Sequence, residues 1–252
     1  MIRPLMARLA LPVLFCTACG ILSAANEEPA PPDWTGFYTL LRGGKDLQGF
    51  KPVSADLDKV IIAHLQPWAK LKMEATDGVA DDTGGVCKAD GIFRNPPFAG
   101  RFLWLPANGK IVQVFHEINT AGVRRIYLNQ KHPKNLLPTW NGHSIGHWEG
   151  DTLVVDTVGF NDKSWLMSGM EPHTEEAHMI ERYRRVANGS LMEAVTIVED
   201  RHALTSAYTY TRYYKKQENE MEENVCNDDL SLWKQWRNEK LRPQYERARQ
   251  VK

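Results

Sequence analysis

Ser144-Ile145-Gly146-His147-Trp148-Glu149-Gly150-Asp151-Thr152-Leu153-Val154-Val155-Asp156-Thr157-Val158-Gly159-Phe160 carries apolar and aromatic residues on both sides of a Glu-Gly-Asp centre. β-branched runs flanking so short a turn triplet read as two antiparallel strands joined by a tight turn. The pattern repeats outward in both directions. Residues 101–105 and 110–118 flank Asn108-Gly109, a pair that readily takes the positive φ angles of a hairpin turn. Residues 123–128 follow as a further strand, and 178–186 with 191–199 flank Asn188-Gly189 as a third hairpin. Residues 207–214 and 221–225 extend the series, and Asp33-Trp34-Thr35-Gly36-Phe37-Tyr38-Thr39-Leu40 opens it.

About nine or ten short strands with tight turns and no helices between them predict a mainly β fold. The expected architecture is an antiparallel meander, closed as a lipocalin- or calycin-like barrel or folded as a sandwich. One helix is expected at about 54–72, capped by Ser54, with Val60, Ile61, Leu65 and Trp68 at helical spacing. A second, C-terminal helix is expected over 230–252, and the strand pattern is expected to begin at Ile92.

Arg3 and Arg8, the apolar residues 9–22 and the small Ser23-Ala24-Ala25 have the order of a signal peptide over 1–25. Residues 26–33 then form a proline-rich spacer before a single β domain over 34–229. The apolar run is too short for a comfortable membrane span, so no transmembrane segment is expected in the mature chain. A rival reading makes Cys19 a lipoprotein attachment site. Either way the expected location is the periplasm or the cell exterior. Cys87 and Cys226 then outlast the leader, either as a disulfide contributing roughly 4 kcal/mol or as two buried thiols. With 31 basic and 31 acidic residues the chain has no charge excess of the kind that draws nucleic acid.

Strand alternation sorts the polar residues into faces. Of the sets Ile111, Gln113, Phe115, Glu117 and Val112, Val114, His116, Ile118, the second is the more apolar and is expected to face inward. Asp156 stands among valines on a strand that reads as buried on both faces. It is either a tuned acid or base in a cavity or one half of an ion pair with Arg125 or Arg182. His173, in the Gly169-Met170-Glu171-Pro172-His173 loop, can shuttle a proton at a barrel mouth if Asp156 or Glu181 lies nearby. Arg125 and Tyr127 alternate with Arg124 and Ile126, so one pair of the two points inward. His143 and His147 are four apart and His173 and His178 five apart, which raises a metal site, but two strand residues four apart lie roughly 13 Å apart, too far to share a zinc ion unless the chain bends. No metal is expected, and no phosphate loop, dinucleotide fingerprint or nucleophile elbow points to a cofactor or a catalytic serine.

The run Arg124-Arg125-Ile126-Tyr127, His132-Pro133, Thr139-Trp140, Ser144-Ile145-Gly146 and Trp148 through Phe160 resembles a large family of exported, mostly uncharacterised bacterial proteins. Pro172-His173, Glu181-Arg182-Tyr183-Arg184-Arg185 and Val225-Cys226 extend the likeness across roughly 87–227. Members commonly read Asp-Gly-Arg where this chain has Asn129-Gln130-Lys131, and a basic residue where it has His147. Trp34 followed by Gly36-Phe37-Tyr38 is similar to the first strand of lipocalin-like barrels. The resemblance implies export and no particular reaction.

Two functions fit these residues. One is a cofactor-independent lyase, isomerase or hydrolase acting on a small apolar or aromatic molecule in the barrel cavity. In it Asp156, His173 and Glu181 move protons while Arg125, Tyr127, Trp140 and Arg182 hold the substrate. The other is a lipocalin-like periplasmic carrier without catalysis. An envelope protein with purely structural ion pairs is the plainest alternative. Nothing in the sequence sets an oligomeric state.

Overall fold

The computed structural model describes residues 33–43, 45–52, 57–78, 81–83, 88–98, 101–115, 122–167 and 169–219. Within them nine strands run in chain order around one closed barrel. They are β1 (Gly36–Leu41), β2 (Arg101–Ala107), β3 (Lys110–Phe115), β4 (Gly122–Leu128), β5 (His143–Glu149), β6 (Thr152–Val158), β7 (His178–Val186), β8 (Leu191–Glu199) and β9 (Tyr208–Gln217). β1 pairs with β9 to close the ring. Closure removes the edge strands that an open sheet leaves exposed to other chains.

The turn chemistry accounts for the hairpins. Asn108 and Gly109 both take positive φ, 35° and 72°, as a two-residue turn matching the strand twist requires. Gly150, at φ 62°, begins the two-residue turn between the paired Glu149 and Thr152.

A ring of nine strands in chain order cannot alternate direction all the way round, because an odd count forces at least one parallel pair. β4 and β5 are that pair, with Ile126 beside Ser144 and Tyr127 beside Ile145. The expected mainly β barrel is thus the one observed, antiparallel at every strand pair except this one. To bring β5 parallel to β4 the chain must return along the outside of the barrel, and residues 129–142 form that crossover. It is tied down by Asn129 N–H donating to Gly146 O (2.7 Å), Thr139 N–H to Gly159 O (3.0 Å) and Asn161 N–H to Thr139 O (2.8 Å).

The helices depart further from expectation. The single helix over 54–72 is two, α1 (Leu57–His64) and α2 (Pro67–Ala75), since Pro67 lacks the N–H that a continuous helix needs and starts α2 instead. Their buried stripe is Leu57, Ile61, Leu65 and Ala69, whereas Val60 and Trp68 face solvent. A third helix, α3 (Gly91–Phe98), occupies the segment where strands were expected to begin. Its Ile92 and Phe93 are buried, and Phe93 packs on Phe160 with ring centroids 4.4 Å apart.

Inside, Trp34 lies against Trp104 (5.6 Å) and Trp148 (4.9 Å), and Trp104 against Tyr183 (5.2 Å). Each large side chain so buried stabilises the fold by roughly 1.5–3 kcal/mol, well above an exposed ion pair such as Arg201–Glu176. The leader, Cys87 and Cys226, His116 and Glu117, the strand expected at 221–225 and the helix expected at 230–252 lie outside the described residues.

Candidate functional site

Two polar clusters occupy opposite sides of the barrel wall. The inner one centres on Arg124, which is fully buried. Its Nε donates to Ser144 Oγ (2.8 Å), its Nη1 to Gln113 Oε1 (3.1 Å), and its Nη2 to Thr157 Oγ1 (2.7 Å) and Glu181 Oε2 (2.5 Å). Tyr183 donates to the other Glu181 oxygen at 2.6 Å. Burial opposes the Arg124 charge, but Glu181 and Tyr183 outweigh it and raise the guanidinium pKa. Burial, with Glu181 adding to it, pushes the Tyr183 phenol well up. Fully satisfied in this way, a buried charge pair is tolerable in an interior.

This cluster corrects two expectations. On β3 it is Ile111, Gln113 and Phe115 that face inward, because Gln113 serves Arg124. On β4 it is Arg124 and Ile126 that are buried, while Arg125 is exposed. Arg125 and Tyr127 therefore cannot orient a substrate inside the barrel.

The outer cluster is a line of hydrogen bonds across β5, β6 and β7, with a longer ionic contact to β8. His132, on the crossover, meets His143 of β5 with Nδ1 to Nδ1 at 2.9 Å and Asp156 Oδ1 of β6 with Nε2 at 3.0 Å. His178 Nε2 of β7 reaches the same Asp156 oxygen at 3.1 Å, and its Nδ1 lies 3.7 Å from Glu199 Oε2. Tyr127 stacks on His143, 5.1 Å between centroids and 10° between planes.

Asp156 is thus on the outer face with its side chain 40% exposed, and its partners are His132 and His178, not Arg125 or Arg182. Arg182 instead pairs with Glu149 at 2.7 Å. The hydrogen bond from His178 holds the Asp156 carboxyl below its ordinary range against a partial burial effect, with His132 helping. The same bond raises His178, and burial followed by the neighbouring His132 lowers His143.

An ionised Asp156 only accepts, and this assigns the protons along the line. His132 Nε2 and His178 Nε2 are the donors to Asp156. With His132 neutral, its Nδ1 holds the lone pair and the His143 Nδ1–H donates to it. A neutral His143 is left with its lone pair on Nε2, the protonation pattern of a general base oriented by a second imidazole and a carboxylate.

His143 lines a groove of about 430 Å³ on the barrel exterior, bounded by the start of β5, by β4 and by the end of the crossover. Arg125, Tyr127 and Trp140 line it as well, as do Thr139, Asn141 and Gly142. Three of the four expected substrate-holding residues share this groove, although on the opposite side of the wall from the expected cavity.

The three expected proton-moving residues do not share a site. Glu181 is inside the barrel and Asp156 outside it. His173 is itself buried, bonded to Ser164 Oγ (2.9 Å) and Thr174 O (3.1 Å) and packed on Phe93. Burial lowers its pKa. No spacing along the chain links His132 on the crossover with His143 of β5 and His178 of β7, so the sequence carries no signal for this group.

Among the described residues no group of three or more His, Cys, Asp or Glu side chains is arranged to hold a metal ion, and no helix is long and apolar enough to cross a membrane. Comparison with models of known families and with curated proteins gave no match.

Proposed function

We propose that the chain is an exported small-molecule enzyme of lyase, isomerase or hydrolase type, in which side chains alone perform acid–base chemistry and His143 is the base. One observation carries the reading: the Asp156–His132–His143 line ends in a groove wide enough for a small substrate. When His143 Nε2 takes a proton from substrate, its Nδ1 proton can shift to His132 Nδ1, moving positive charge toward Asp156. The proton returns by the same route to the product. Tyr127 and Trp140 offer flat apolar walls to an aromatic portion of the substrate.

The periplasm or cell exterior is the proposed location, with cleavage after residue 25 and a Cys87–Cys226 bridge. Mass measurement of the exported chain with and without reductant tests both, expecting a leaderless mass that gains two hydrogens on reduction. An unprocessed or unchanged mass refutes the corresponding half.

For the activity, the native protein is incubated with a mixture of small metabolites and assayed for product by mass spectrometry. The expected result is conversion that falls about 10²–10⁴-fold in His143→Gln. A bound but unconverted ligand favours the carrier, and undiminished turnover in both His143→Gln and Asp156→Asn refutes the assignment.

A further inference from the structure

We infer that the outer groove selects small aromatic carboxylates, and that Arg125 is the residue that recognises the anion. The inference rests on the groove being the substrate site. Among the described residues the groove lining holds two arginines and no carboxylate. Arg124 brings no usable charge, because its guanidinium is fully committed to Gln113, Ser144, Thr157 and Glu181 inside the wall. Arg125 points the other way, is exposed, and forms no ion pair among the described residues. Lys110 Nζ adds positive potential 5.7 Å from the Tyr127 ring centre.

The parallel register places this cation beside the base. Ile126 is paired with Ser144, so the residues just before them, Arg125 and His143, neighbour each other across β4 and β5 on the outer face. Adjacent strands at that spacing set their Cα atoms on the order of 5 Å apart. A guanidinium binds a carboxylate through two parallel hydrogen bonds in a plane. A carboxylate held there presents the attached ring to the Tyr127 and Trp140 side chains and its neighbouring carbons to His143. The groove, about 430 Å³, has room for a ring of benzoate or cinnamate size.

Isothermal titration of the full chain with benzoate, cinnamate and their neutral amides tests the inference. The expected result is millimolar or tighter carboxylate binding, with each amide at least tenfold weaker. Arg125→Gln should abolish the preference, Arg125→Lys should retain part of it, and Trp140→Ala should weaken acid and amide alike.

Equal binding of acid and amide, an unchanged preference in Arg125→Gln, or no benzoate binding below about 20 mM overturns the inference. His143→Gln separates the two claims, because it should still bind benzoate. Anion preference without turnover of any substrate removes the catalytic reading alone. Turnover of neutral substrates without anion preference removes this one alone.

Discussion

Arg124 and Arg125 are chemically identical neighbours whose roles are set by which side of the β4 wall each faces. The first is a buried structural charge, and losing its partner strands it. Glu181→Gln or Arg124→Met is therefore expected to cost about 3–5 kcal/mol in urea unfolding, whereas Arg125→Gln should stay within about 0.5 kcal/mol of wild type. Equal costs would contradict the inside–outside assignment. Asp156 governs the outer line. His178 has a raised folded pKa, so its bond to Asp156 stabilises the protein below the ordinary histidine range and is lost as pH rises through that raised value. Asp156 has a lowered pKa, so its share is present above the ordinary carboxylate range and fades as pH falls. Asp156→Asn should accordingly destabilise most in the mildly acidic window between the two and less at pH 8. Nitrogen-15 NMR should also show the His143 proton on Nδ1 in wild type and a redistribution between the His143 nitrogens in Asp156→Asn. A pH-independent cost and an unchanged tautomer would remove the relay.

The strands were legible to within a few residues because alternation and Asn-Gly turns are local signals. Residues 101–105 with 110–118, read from sequence, became β2 and β3 around the same Asn108-Gly109 turn. A Cβ on Gly109 would meet nothing within 4 Å, so Gly109→Ala probes the positive φ alone, and a loss of about 1 kcal/mol in thermal unfolding is expected. No loss would mean that the turn relaxes to another type. The helices were less legible. Gly91-Ile92-Phe93 has β-branched and aromatic character, yet Gly91 at φ 73° lies so close to Trp140 O and Ser164 Oγ that a side chain there would collide, at 2.7 and 3.0 Å. Tertiary packing against Phe160 and His173, not local propensity, makes that segment helical. The crossover 129–142 has no periodic signal at all, and it supplies His132 and Trp140.

At the scale of the whole barrel, buried Glu171 couples stability to pH. Burial, aided by Asp58, raises its carboxyl from 4.5 to about 7, so the folded state keeps a proton that the unfolded chain has released. Stability should therefore fall as pH rises across that interval, by on the order of 3 kcal/mol. Glu171→Gln should flatten the difference between pH 5 and pH 8 in chemical denaturation, and an undiminished slope would place the titrating group elsewhere. The odd strand count operates at this scale too. It requires one parallel pair, but nothing in the chain says which, and the answer at β4–β5 creates the groove by sending the crossover outside. The sequence by itself determined the β class, the hairpins and the residue types available for acid–base work, because these follow from alternation and turn chemistry within a few residues. Only the tertiary structure decided that Glu181 is inside, that Asp156 is outside and that His132, His143 and His178 meet. Which face of a strand is inner depends on how the sheet closes, and contacts between a crossover and three strands have no counterpart in sequence spacing.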